Sequence, residues 1–318
     1  MIGIKEAAEC LRAAERVLIL SHQFPDGDTL GCASALCRGL RQMKKRAAVR
    51  CSDKIGPKYA YLFRGLPDDE FEPDLVVAVD IADENLLGQP LKDTWAGRVD
   101  LCIDHHPSNT LYAAKTCLNP KAAATCEIIF DLLKELGVTI VPEIATSLYT
   151  GITTDTGCFK YINVTPRTYR IAADLVETGI DAPTINREMF DTKSRARLEM
   201  ERKVLDTIAY DCDGKVAVIV ISRKMVQESG AKQDDLDGLA TIPRGIEGVL
   251  VGVTLREKKD GSWKVSLRAH APIDASEICQ QFGGGGHKGA AGCTLNVPLD
   301  EAKEQMLRAV RGYLEGRL

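Results

Sequence analysis

The sequence lacks several things whose absence narrows what it can do. No apolar stretch reaches the roughly 20 residues needed to cross a bilayer. Residues 1–12 mix charges into the apolar pattern, so no signal peptide is expected. There is no basic excess: 41 Lys and Arg stand against 45 Asp and Glu, a net charge of −4. Extended binding of long duplex nucleic acid, which needs a basic footprint, is therefore not expected. None of the 11 cysteines falls in a CxxC pair. An odd count with no secretory segment predicts reduced thiols and a cytoplasmic protein with no membrane partner. Cys32, Cys37, Cys102 and Cys126 lie in apolar runs and read as small core residues. No repeat or low-complexity segment is visible. Histidine is also scarce, with five residues in the chain.

What is present fits a globular chain of about two domains: 318 residues, 45% hydrophobic and 27% charged. Apolar runs at 16–20, 47–51, 74–81 and 100–106 read as strands. Helical patterns occupy 4–15, 29–44, 124–137 and 142–153, and Thr165-Pro166 opens another helix that runs to Gly179. Near-continuous apolar strands separated by helices predict an α/β fold with a mostly parallel N-terminal sheet flanked by helices. Domain 1–190 carries that sheet. A charged segment at 191–209 reads as a helical linker. Residues 210–318 read as a smaller C-terminal α/β domain, with strands at 215–222, 249–256 and 263–269 and a helix at 299–313.

In parallel sheets, ligands bind beyond the carboxyl ends of the strands. The first strand ends in Ser21-His22-Gln23-Phe24-Pro25-Asp26-Gly27-Asp28, the third in Asp80, and the fourth in Asp104-His105-His106. A fourth polar cluster is Asp155, in the Thr/Gly-rich turn 151–157. Each piece alone has an ordinary reading: Asp28 as a helix N-cap, Asp80 and Asp155 as caps, one of His105 and His106 as a buried hydrogen-bonded side chain. Counting His105 for its cluster, with Asp104 and His106 beside it, two histidines (His22, His105) and four carboxylates (Asp26, Asp28, Asp80, Asp155) are expected at one rim. That is enough to hold two divalent ions with one bridging carboxylate, a pairing suited to phosphoester hydrolysis. Imidazole and carboxylate ligands favour Mn, Mg or Fe over a structural zinc.

The ordered set SHQFPDGDTLG, VVAVD, DHHP and GITTDTGCF resembles the DHH phosphoesterases. The later LRAH and FGGGGHKGAAG segments resemble the C-terminal substrate-binding domain that accompanies them. The subgroup most resembled is the nano-RNase and 3′,5′-bisphosphate nucleotide phosphatase type. That resemblance implies a hydrolase that cuts short oligoribonucleotides to mononucleotides and dephosphorylates pAp, with some members acting on di-adenylates. It implies one metal on His22, Asp26 and Asp80 and a second on Asp28, Asp80, His105 and Asp155. The ions would be manganese, with magnesium compatible. Asp104 would orient a ligand, and His106 would touch the substrate phosphate. Arg268 is a candidate phosphate clamp, or else an exposed strand arginine; the family often follows it with serine, where this chain has Ala269. Gly284, Gly285, Gly286 and His287 would form a flexible loop whose backbone approaches a phosphate; the ordinary reading is a hinge.

Three other readings stay open at this stage. One is a phosphodiesterase for cyclic di-AMP or pApA. An inorganic pyrophosphatase is the second, although its C-terminal domain carries a Lys/Arg-rich grip rather than a glycine–histidine loop. The third is a non-catalytic nucleotide sensor, whose mark would be a lost ligand. A homodimer is compatible with the sequence, which does not set the oligomeric state.

Overall fold

The computed structural model describes residues 1–236 and 238–315. The chain divides into two compact units, Met1–Thr192 and Lys193–Leu318. Among the described residues no helix is long and apolar enough to cross a membrane.

In the first unit, strands β1 (Arg16–Leu20), β2 (Arg46–Arg50), β3 (Leu75–Val79), β4 (Leu101–Asp104) and β5 (Lys115–Leu118) form one parallel sheet, ordered β2-β1-β3-β4-β5. Alternate residues feed opposite faces. Val17, Ile19, Val77, Val79, Leu101 and Ile103 enter the larger core; Leu18, Leu20, Ala48, Val76 and Ala78 enter a smaller one with Ile81 and Leu87. Burial on both faces is why these strands read as unbroken apolar runs. The larger core is built by helices α1 (Ile4–Ala13), α2 (Gly27–Gln42), α4 (Thr125–Glu135), α5 (Pro142–Asp155) and α6 (Pro166–Glu177). The smaller face is covered by the β3–β4 connection, including the short helix α3 (Leu91–Trp95). A last short helix, α7 (Ala182–Asn186), buries Ala182 and Ile185.

Helix α2 is nearly all buried, which demands close neighbours. A Cβ on Gly31 would lie 2.5 Å from the Ser147 carbonyl oxygen, and one on Gly151 would lie 3.1 Å from the Asp28 Cα. The two glycines thus let α2 and α5 approach closely and fix the depth of Asp28.

In the second unit, α8 (Arg195–Leu205) covers the expected linker region, yet its Met200 and Val204 are fully buried with Ile219 and Ile221. The apolar side of this charged helix belongs to the second unit's core. A six-stranded sheet follows, ordered β10-β11-β9-β8-β7-β6. Its strands are β6 (Ala209–Asp211), β7 (Val216–Ile221), β8 (Val251–Glu257), β9 (Trp263–Ala269), β10 (Gly285–His287) and β11 (Ala290–Leu295). Only β7 and β8 pair in parallel. Helix α9 (Arg223–Ser229) follows β7. Helices α10 (Ala275–Gln280) and α11 (Leu299–Glu315) bury Ile278, Met306 and Val310 in the core on one face of the sheet.

Candidate active site

The polar clusters predicted at the strand ends do converge. The loop after β1 brings His22 and Asp26; helix α2 starts there with Asp26 as its N-cap, accepting from the backbone N–H groups of Asp28 and Thr29. The cap is therefore Asp26, and the alternative that gave the cap to Asp28 is corrected, because the helix begins two residues earlier, at Gly27. Asp28 is instead buried, its carboxylate accepting the backbone N–H groups of Thr125 at 2.6 Å and Cys126 at 3.0 Å. These donors sit in the first turn of α4, where free N–H groups favour an anion.

Asp80 follows β3 at φ +60°. A positive φ at aspartate is strained, at a cost of order 1 kcal/mol. Here the turn sets the carboxylate among His22, His105 and His106, 3% exposed. Asp155 is the last residue of α5 rather than part of a turn, because the helix runs two residues past the predicted end.

The spacing within the site suits ligation better than pairing. His22 Nε2 lies 3.7 Å from Asp26 Oδ1 and 3.8 Å from Asp80 Oδ2. His105 Nε2 lies 3.8 Å from Asp80 Oδ1 and 3.5 Å from Asp155 Oδ2. All but the last lie clearly beyond hydrogen-bonding range. Ligands about 2.1 Å from one ion stand roughly 3–4 Å apart, which is the observed range. His22, Asp26 and Asp80 make one such group, and Asp28, His105 and Asp155 another, each with ligand atoms within 4.8 Å of one another. Both histidines commit Nδ1 elsewhere: His22 to the Gln23 carbonyl at 2.8 Å, His105 to the Ala122 carbonyl at 3.1 Å. Donation from Nδ1 leaves Nε2 bare as a metal ligand. The donor set thus fits hard or borderline divalent ions.

Electrostatics agree. Burial pushes the Asp28 carboxyl well up and raises Asp80, with Asp26 adding to the rise at Asp80. Burial also lifts Asp155, to about 6. Such crowding of carboxylates is relieved by a cation. His106 behaves differently. Its Nδ1 lies 2.7 Å from Asp104 Oδ1, and that hydrogen bond raises the imidazole to about 9. Asp104 is fully buried; burial works against its ionisation, but bonds from His106 and from Asn109, at 2.6 Å, hold its carboxyl below the usual value.

Two residues escaped the sequence reading. Thr125 donates to Asp80 Oδ1 at 2.7 Å, and Asn109 anchors Asp104. Their signal is weak: a hydroxyl at the second position of the predicted 124–137 helix and an asparagine three residues past DHH.

In the second unit, Gly285, Gly286 and His287 are not a flexible loop. They form β10, paired antiparallel with β11, because main-chain ladder bonds need no side chains. Gly284 is required by packing: a Cβ there would lie 2.2 Å from the Gly292 carbonyl oxygen. The ladder pairs His287 with Ala290 and Ala290 with Arg268. Arg268 and His287 therefore project from one face of the sheet, two strand spacings or about 10 Å apart. His287 is exposed; burial and the nearby Arg244 charge lower the Arg268 guanidinium.

Residues 16–152 match the DHH family, N-terminal domain, and residues 213–316 match the DHHA1 domain. The bifunctional oligoribonuclease and PAP phosphatase NrnA of Thermus thermophilus is 36% identical over 320 residues, spanning 96% of this chain and 93% of that protein. The crystal structure of an exopolyphosphatase-related protein from Bacteroides fragilis superposes with a TM-score of 0.88 at 25% identity, covering 98% of this chain and 96% of the other. RecJ of Thermus thermophilus in complex with Mn2+ shares the fold at a TM-score of 0.56 and 18% identity, over 97% of this chain and 55% of RecJ. With its strand-end aspartates and histidines in this order and a relative of such identity along nearly its whole length, the chain belongs to the DHH family.

Proposed function

We propose that the chain is a metal-dependent phosphoesterase that hydrolyses short oligoribonucleotides to mononucleotides and removes the 3′-phosphate of pAp. The observation that carries this reading is the pair of ligand groups meeting around buried Asp80 and Asp28. The whole-length likeness to an oligoribonuclease and PAP phosphatase supports the substrate class.

His22, Asp26 and Asp80 would hold one divalent ion, and Asp28, Asp80, His105 and Asp155 a second, with Asp80 common to both. Manganese is the favoured ion, supported by the donor set and by the manganese complex of RecJ. Bound, such ions lower the pKa of water and neutralise phosphoryl charge. The chain's own residues supply the rest. Asp104 accepts from His106 Nδ1, fixes the ring and favours the protonated imidazole, whose Nε2–H can donate to a phosphoryl oxygen. Asn109 and the backbone N–H groups of His105 and His106 hold Asp104 in turn. Thr125 orients Asp80. In the second unit, Arg268 and His287 share a sheet face that offers a guanidinium and an imidazole to a phosphate.

Anion-exchange analysis of products tests the reading. The purified chain with Mn2+ is given pApA, pAp, cyclic di-AMP and pyrophosphate in separate reactions. Loss of pApA and pAp is expected. Turnover of pyrophosphate alone would refute the substrate class while keeping the metal centre. Turnover of cyclic di-AMP in place of pAp would move the assignment to a cyclic dinucleotide phosphodiesterase. No turnover of any substrate, with metal bound, would point to a sensor.

A further inference from the structure

Asp28 has a second side. Cys32, one turn further along α2, and Cys126, in the first turn of α4, are both fully buried. Their sulfurs lie 3.4 Å apart. Cys32 Sγ is 3.7 Å from Asp28 Oδ1, and the Cys126 backbone N–H donates to that same oxygen at 3.0 Å. Space has been left for this grouping. A Cβ on Gly151 would fall 2.3 Å from Cys126 Sγ and 2.8 Å from Asp28 Oδ1, and one on Gly31 would fall 3.1 Å from Cys126 Sγ.

A thiophilic ion in tetrahedral coordination sits about 2.3 Å from sulfur and about 2.1 Å from oxygen. Those lengths set sulfurs about 3.8 Å apart and sulfur about 3.6 Å from oxygen. The observed 3.4 and 3.7 Å need only a few tenths of an ångström of adjustment. The three ligand atoms also lie within 4.8 Å of one another.

We propose that Asp28, Cys32 and Cys126 form a site for a thiophilic divalent cation of the Zn2+ or Cd2+ class, set behind the His/Asp centre. Binding joins the ion to two thiolates and one carboxylate oxygen and releases two thiol protons to solvent; no electron moves. Asp28 is also grouped with His105 and Asp155, so the two sites draw on one carboxylate. An ion on the thiols weakens retention of a hard ion on the other side and thereby inhibits. This coupling, unlike the thiol site itself, rests on the metal assignment of the proposed function.

The test uses the full chain, reduced and stripped with a chelator, titrated with Cd2+ alone. Bound cadmium is counted after dialysis, and the thiolate-to-cadmium charge-transfer band is read in the ultraviolet. Cys32→Ala and Cys126→Ala should each lose one cadmium per chain and the same part of the band. Cys279→Ala, which removes half of a neighbouring thiol pair in the second unit that lacks this carboxylate, should keep both. Undiminished binding in the first two variants overturns the site. Should the alanine variants fail to fold, the serine variants replace them with the same expected losses. X-ray absorption of the wild type carrying one cadmium should show two sulfurs and oxygen; a shell without sulfur overturns the site. For the coupling, free Mn2+ is followed by electron paramagnetic resonance. Cadmium should weaken manganese binding at least about fivefold in the wild type and leave Cys126→Ala unmoved. Equal manganese affinity with and without cadmium in the wild type overturns the coupling. Failure of manganese to bind the stripped wild type at all would instead count against the proposed function.

Discussion

Replacing Thr125 by valine tests how Asp80 is held. The change keeps side-chain shape and removes one donor. Thr125 is fully buried and Asp80 is 3% exposed, so no solvent takes the donor's place. The lost bond is 2.7 Å long and goes to a carboxylate. Hydrogen bonds to charged groups contribute about 1.5–3 kcal/mol. For a unit of this size each kcal/mol shifts Tm by roughly 2–4 °C, giving a fall of about 3–12 °C for the first unit. Scanning calorimetry of the chelator-treated protein reads it. The pH dependence adds a second check. Burial, then Asp26, raises the Asp80 carboxyl. A carboxyl whose folded pKa exceeds its unfolded value binds more protons when folded, so stability falls as pH rises from the unfolded value through the folded one. Removing the donor raises the folded value further. The Tm deficit of Thr125→Val should therefore be larger at pH 8 than at pH 5. A deficit within about 1 °C at both values would refute the claim that this hydroxyl stabilises the Asp80 carboxylate.

Asp80→Ala should abolish manganese-dependent turnover and reduce bound metal, since Asp80 is proposed to serve both ions; near-normal activity in product analysis would rule out the site. Asp104→Asn removes the charge that raises His106, so the imidazole should titrate well below about 9, as followed by its ring-proton NMR signals. Arg311 grips Asp211 with contacts of 2.9 and 2.6 Å and lowers that carboxyl to about 2. A depressed carboxyl contributes stability that is present above its unfolded value and lost as pH falls through the folded one. Between pH 4 and pH 2, Arg311→Leu should therefore lose less stability than the wild type in denaturant titrations, although starting from a lower value. His287→Ala should weaken binding of a short oligoribonucleotide by calorimetry while metal content stays constant; loss of metal with binding intact would remove His287 from the substrate face.

The parts of the fold that were legible in the sequence are those where one signal dominates. Parallel strands buried on both faces give unbroken apolar runs, and parallel order puts all their carboxyl ends on one edge. That is why the sequence alone brings His22, Asp80 and His105 to one edge. The end of α5 was misjudged because Thr153, Thr154 and Thr156 resemble a turn. In the fold their hydroxyls bond back to the carbonyls of Tyr149, Thr150 and Ile152 and the helix continues. Strand β10 was misjudged because glycines carry no pattern, whereas its pairing is made by the main chain alone. Thr125 lies 45 residues from the carboxylate it serves, and no local signal spans that distance.

The pairing of His287 with Ala290 leaves only Lys288 and Gly289 to make the turn between β10 and β11. A connection that is one residue too short would force β10 to slip against β11 by a step, and such a slip would carry the imidazole to the opposite side of the sheet from Arg268. Composition, charge and burial would hardly change. Among natural variants of this chain, tolerance of deletions should therefore drop sharply at this two-residue connection, even though both of its residues are small or solvent-facing.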